Sequence, residues 1–265
     1  MTVLLAALDD SAAARPVVEA SLRLAALLGD DVVAVHICED GSGATAAAIA
    51  ESAGVPIVVR PAAGSVTDAI VAAQREADAV AIAVGTRGLS GASRPLGHVA
   101  LGVVQDLPVP VLAVPPGGRD RPIDRVLLAL EGDDESAAVG SLLERIGAGE
   151  GPELVALHVF PPEDLPPFGD HPVFETEAWA REFLRRTTGP PPHRLRLEVR
   201  VGSVVDVVAG SVEELGVDLV ILAWNRSLAA GHGRIVRRML ETGRAPTLLL
   251  PADGRYPAQS GWSAA

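Results

Sequence analysis

Short all-apolar runs alternate along this chain with longer amphipathic stretches, the pattern of βαβ units whose parallel strands are buried on both faces. Val3 to Leu8 is the first such run. Asp9-Asp10-Ser11 then punctuates, and Pro16 sits where an early helical turn tolerates it. Val17, Ser21, Leu24 and Leu28 recur at helical spacing as far as Gly29, a natural stop. Further strands are predicted over Asp31–Ile37, Pro56–Arg60, Ala79–Val84 and Val109–Val114. Residues 39–54 leave room for one modest helix. Ser65–Ala77 reads as a helix with Ser65 as N-cap and Asp68 in capping-box position. Another helix runs from about His98 to Gln105.

The same order then begins again. Arg125–Glu131 echoes Val3–Asp9, and Ala156–Val159 echoes Ala34–Ile37 at the same offset of 122 residues. Val201–Asp206 echoes Ala63–Asp68, and Asp218–Ala223 echoes Asp78–Ala83. Both halves close on a proline-framed strand, Pro108–Pro115 and Pro246–Pro251. Echoes in this unbroken order mark a tandem duplication: a first domain over residues 1–116, a second over 123–252, and a loose tail over 253–265. Pro116–Pro122 is the linker. The second copy is longer after its second strand, with a proline-crowded loop over Phe160–Pro172 and a helix over Glu175–Thr187.

Composition narrows the function. Apolar residues make up 48% of the 265 and aromatics 3%, so the cores are built from Val, Leu, Ile and Ala. A net charge of −12 repels phosphate backbones and argues against nucleic-acid binding. The single cysteine, Cys38, excludes an intramolecular disulfide framework and a multi-cysteine metal site. No apolar run is long enough to span a membrane, and Met1–Leu5 lacks the basic start of a signal peptide, so the expected address is the cytoplasm.

Open parallel sheets bind ligands beyond the carboxyl ends of their strands, where strand order reverses. Asp9, Asp10 and Ser11 follow strand one, and the glycine-rich run from Gly85 to His98 follows strand four. Glycines let backbone N–H groups converge on an anion, and a helix opening at Gly97-His98 adds donors and a favourable dipole. Arg87 or Arg94 supplies a cation for phosphates. The spacing is neither a Walker A loop nor a dinucleotide fingerprint, and with 27 glycines in the chain a few in one loop are also explained by chance. His36 and His158 occupy equivalent strand positions and read as inherited structural residues. No His-Asp-Ser arrangement or nucleophile elbow stands out, so no catalytic machinery is expected.

The order of elements, the Asp9-x-Ser11 turn, the Gly85-x2-Gly88 loop and the closing Pro108-Val-Pro110-Val-Leu-Ala-Val resemble the universal stress protein family across nearly all of both halves. The resemblance implies an α/β fold: two tandem flavodoxin-like domains of the adenine nucleotide alpha hydrolase-like kind, each a mostly parallel five-stranded sheet with helices on both faces. It also implies a site. ATP-binding members carry G-x2-G-x9-G-(S/T) after strand four, with the adenine near the ends of strands one and two. Carried over by position, Asp9 lies near adenine or ribose and Ile37 packs on the base. Gly85, Arg87 and Gly88 form one arm of a phosphate cradle, and Gly97, His98 and Val99 the other. This chain departs from the pattern: eight residues separate Gly88 from Gly97, and His98 stands where Ser or Thr is expected. In the second half Asn225–Gly233 replaces the cradle, Glu131 replaces the aspartate, and Trp224 stands beside the phosphate position, so that copy reads as a non-binding partner.

Two readings follow. In the first, a stress-response binding or regulatory protein holds ATP or a related adenine nucleotide in its first domain, with Mg2+ only if ATP is bound. In the second, a nucleotide-free scaffold of the same fold acts through protein contacts. Slow nucleotide hydrolysis is the one enzymatic alternative, with Asp9 and Asp10 as candidate Mg2+ holders. Single-domain relatives commonly dimerise through their last strand, so the tandem copies are expected to form an intramolecular pseudo-dimer, Val109–Val114 against Thr247–Leu250, with or without a further homodimer.

Overall fold

The computed structural model describes residues 2–38, 43–62, 64–87, 97–117, 121–130, 136–146, 151–164, 177–190, 192–228, 233–252 and 256. The chain forms two units. Unit 1 holds Met1–Pro122 together with Tyr256–Ala265, and unit 2 holds Ile123–Arg255.

Unit 1 contains β1 (Val3–Leu8), α1 (Arg15–Leu28), β2 (Asp31–Cys38), α2 (Ala44–Ser52), β3 (Ile57–Pro61), α3 (Val66–Glu76), β4 (Ala81–Gly85), α4 (His98–Asp106) and β5 (Val111–Val114). Its strands are all parallel, in the order β3-β2-β1-β4-β5. Strand order therefore reverses between β1 and β4, and the site-bearing loops leave their carboxyl ends. Strands β4 and β5 are buried along most of their length, as continuous apolar runs require. Helix α1 lays Val17, Ser21, Leu24 and Leu28 against the sheet and ends at Gly29 with φ +70°. Ser65 caps α3 by accepting the Asp68 N–H at 3.0 Å, as the sequence pattern predicts.

Unit 2 repeats the plan with β6 (Arg125–Ala129), α5 (Ser136–Ile146), β7 (Glu153–Phe160), α6 (Glu177–Thr188), β8 (Leu195–Val201), α7 (Val204–Glu214), β9 (Leu219–Trp224), α8 (Arg234–Thr242) and β10 (Thr247–Pro251). Its parallel order is β10-β9-β6-β7-β8. Pairing of Val3 with Asp31 and of Arg125 with Glu153 reproduces the 122-residue offset in the ladders themselves. On edge strand β8, Arg196 pairs with Glu153 at 2.8 Å and Arg200 with Glu214 at 2.6 Å, charges that discourage edge-to-edge addition.

Two sequence expectations need correction. Leu4 pairs with Ala81, and Val126, its equivalent 122 residues on, pairs with Leu219. Asp78 is therefore not the counterpart of Asp218; the true correspondence is displaced by two residues, so Trp224 stands where Thr86 does and Asn225 where Arg87 does. A slip of two leaves every side chain on its original face, so the apolar pattern is blind to it. The tail is also not loose throughout. Tyr256 is buried in unit 1 and donates its hydroxyl to Asp30 at 2.9 Å, beside the Thr2 hydroxyl bonded to the same carboxylate. Among the described residues, no helix is long and apolar enough to cross a membrane.

Candidate functional site

The site of unit 1 begins at the end of β1. Leu8 is level with His36 and Ala7 with Val84, so Asp9 stands level with Ile37 on one side and Thr86 on the other. Its carboxylate accepts the Ser11 hydroxyl at 2.7 Å, and the same Ser11 oxygen accepts the Ala13 N–H at 3.2 Å. The Asp9-x-Ser11 turn thus orients the acid while capping the short 3-10 turn over Ala12–Ala14. Ile37 is buried at the end of β2.

Asp10 has another duty. One of its oxygens accepts the Thr45 and Ala46 amides at 2.7 and 3.0 Å, and the other accepts the Gly43 amide at 3.1 Å. An acid 33 to 36 residues away therefore closes the N-terminus of α2, whose own N-cap Gly43 has no side chain to do so. The bond from Ala46, opposed by desolvation but helped by the bonds from Gly43 and Thr45 and by the nearby His36, holds the Asp10 carboxyl below its ordinary value. With both oxygens committed, Asp10 is unsuited to the Mg2+ role the sequence allowed it. Among the described residues no cluster of three or more His, Cys, Asp or Glu could hold a metal.

The sign of the Asp10 effect is fixed. Folding favours the ionised form, so the stabilisation is complete above the ordinary carboxylate value near 3.8 and drains away as acid protonates Asp10 below it. Asp10→Ala is expected to lower the Tm by several degrees at neutral pH, with the difference from wild type closing as the pH falls below that value. Thermal melts of both proteins across that range check it; a difference independent of pH would contradict the ionic cap.

Both arms of the proposed cradle meet at a neck. The Thr86 amide donates to the Val114 carbonyl at 2.9 Å, continuing the sheet, and the Thr86 carbonyl accepts the Gly97 amide at 3.0 Å. Gly85, Thr86 and Arg87 therefore leave β4 beside Gly97, His98 and Val99, which open α4. Gly97 is the extended N-cap and offers no side-chain cap, so the first-turn amides of α4 have no partner within the helix. His98 and Val99 are exposed. Gly88, like the rest of the loop from 88 to 96 and its Arg94, lies outside the described residues. Gly85 is not forced to be glycine: a Cβ there would meet Val17 at an ordinary 3.4 Å.

Unit 2 keeps some of these features and changes others. Its histidine repeats the structural bond, His158 Nδ1 to the Leu130 carbonyl at 3.0 Å, as His36 bonds Leu8 at 2.9 Å. After β9 the Asn225 side chain accepts the Ser227 amide at 3.1 Å, so this backbone folds onto itself rather than toward an anion. Gly233 caps α8 with φ +60°, and Arg234 takes the place of His98. The copy read as having lost its site is nevertheless hollow: a cavity of about 560 Å³ opens at the carboxyl ends of β6, β7 and β9. Trp224 is both 5% exposed and part of its wall, so packing and lining are not alternatives for this side chain.

The family profile described as the Universal stress protein family matches residues 42–115 and again 122–251. The chain belongs to this family. A universal stress protein from Archaeoglobus fulgidus DSM 4304 shares the fold with a TM-score of 0.69 at 17% identity, over 94% of this chain and 98% of that one. A functionally unknown protein from Pseudomonas aeruginosa PAO1 does so with a TM-score of 0.65 at 15% identity, over 96% and 94%. No curated protein matches the chain. This universal stress protein thus carries the tandem form, with two family matches in one polypeptide.

Proposed function

We propose that unit 1 binds ATP or a related adenine nucleotide and that the protein is a stress-response binding or regulatory protein rather than an enzyme. The observation that carries this reading is the N-terminus of α4, held beside the end of β4 by the Gly97–Thr86 bond and flanked by the Ser11-oriented Asp9. First-turn helix amides are donors for phosphate, and a fixed carboxylate at the end of β1 suits ribose hydroxyls or the adenine amino group. Ile37 supplies an apolar contact for the base. The residues fit a nucleotide; Mg2+ would then be carried by the phosphates, since Asp10 is engaged elsewhere.

A nucleotide-free scaffold is the competing reading, favoured by the eight-residue spacing and by His98 in the Ser/Thr position. Small molecules released by denaturing freshly purified protein separate the two. Mass spectrometry is expected to find an adenine nucleotide in the released fraction; a fraction without one would favour the scaffold.

A further inference from the structure

We infer that unit 2 is itself a ligand-binding domain and that its cavity takes a small organic acid with an apolar body, an aliphatic or aromatic monocarboxylate. Its walls come from three strand ends and two helices, at the point where strand order reverses between β6 and β9. Leu130, Val159, Val205, Val208, Trp224 and Ile235 make up their apolar part, beside the polar His158, Asn225 and Arg234. The volume, about 560 Å³, falls in the range of roughly 300–1,000 Å³ common to small-molecule sites, and an apolar lining with few polar groups is their usual make-up.

The polar features select one anionic group rather than a polyphosphate. Arg234, an exposed side chain at the first position of α8, lines the cavity, and among the described residues no carboxylate pairs with it. Its guanidinium offers a two-pronged fit to a carboxylate. The amide that could have extended an anion cradle, that of Ser227, is consumed by Asn225, and the Leu228 carbonyl is held by Arg237 at 3.0 Å. One cation lining a chamber with an apolar part suits one charge on an apolar body. The start of α8 and Arg234 supply donors for one anionic group, whereas a triphosphate would place its further charges against Leu130, Val205 and Val208, at a desolvation cost.

Decanoate is the probe, titrated into the full-length protein by calorimetry and by tryptophan emission, against decanol and ATP as comparison ligands. Saturable decanoate binding is expected, with decanol at least about tenfold weaker for want of the charge pair. Arg234→Ala, at an exposed position that leaves the fold intact, is expected to weaken decanoate at least about tenfold. Val205→Phe narrows the chamber and is expected to weaken decanoate binding. Neither substitution touches unit 1, so ATP binding there should be unchanged in both, and ATP should not displace decanoate. Absence of saturable decanoate binding would overturn the inference. So would binding indifferent to both substitutions, or displacement by ATP.

Discussion

Gly43→Ala is expected to destabilise unit 1 by about 2–4 kcal/mol. Gly43 has φ +131°, a conformation that side chains rarely adopt, and an added Cβ would lie 2.8 Å from Cδ2 of His36. That ring has no freedom to retreat. It is 4% exposed, and its Nδ1 is bonded to the Leu8 carbonyl at 2.9 Å, so moving aside breaks a buried hydrogen bond. Gly43 also donates its amide to Asp10, so displacing the backbone weakens the α2 cap in the same step. Gly54→Ala separates strain from collision: Gly54 has φ +67° and nothing within 4 Å of the added Cβ, so only about 1 kcal/mol is expected there. Urea unfolding of the two variants measures both. Equal losses would show that the His36 contact has no part in the effect.

Gly233→Ala is the counterpart in unit 2, with an expected loss of about 3 kcal/mol. At φ +60° an added Cβ would lie 2.6 Å from the Ser227 carbonyl oxygen and 2.7 Å from Cδ2 of Leu228. The leucine tip can turn, but the Ser227 carbonyl belongs to a turn fixed by the Asn225 side chain. The start of α8 must therefore shift, carrying with it Arg234 and Ile235 on the wall of the cavity. Gly216→Ala, with φ +62° and open space around its Cβ, gives the strain alone within the same unit. A Gly233→Ala loss no larger than that of Gly216→Ala would mean that α8 is not pinned against residues 227–228.

Much of this architecture was legible because its signals are local. Apolar runs such as Val3–Leu8, short and closed by turn residues, read as buried strands, and Ser65 with Asp68 marks a helix start within four residues. The tandem repeat was legible for the same reason, since each echo spans a few consecutive residues. What escaped was set by distance or by symmetry of the pattern. Asp10 caps a helix more than 30 residues away, a contact without a local signature. The pairing of β9 with β6 was displaced by two residues, which the alternation of faces cannot detect. Trp224 illustrates the consequence: aligned by echoes it matches Val84, whereas the ladder puts it level with Thr86, buried at the neck of the cradle in unit 1. Tyr256 belongs to the same class, since its partner Asp30 lies 226 residues earlier in the chain.

Of the residues assigned to the nucleotide site, Asp9, Ile37, Gly85, Arg87, Gly97, His98 and Val99 all lie at the carboxyl ends of β1, β2 and β4 or at the start of α4. Their roles differ in how much depends on the side chain. If the first-turn amides of α4 are the phosphate donors we propose, the backbone and not the side chain is the functional group at His98 and Val99, and a histidine can then occupy a position where a hydroxyl residue was expected.

Titration of ATP into wild type, His98→Ala and His98→Pro tests the central claim most directly. Gly97 already has the extended backbone, φ −73° and ψ 142°, that must precede a proline, and a first helical position accepts proline without breaking the helix. His98→Pro therefore removes one amide donor and leaves α4 in place, while His98→Ala removes only the imidazole. If the α4 amides hold phosphate, wild type binds ATP, His98→Ala stays within about threefold of it, and His98→Pro is weaker by roughly ten- to a hundredfold. No binding heat from wild type at millimolar ATP, or equal affinity in the proline variant, would contradict the account.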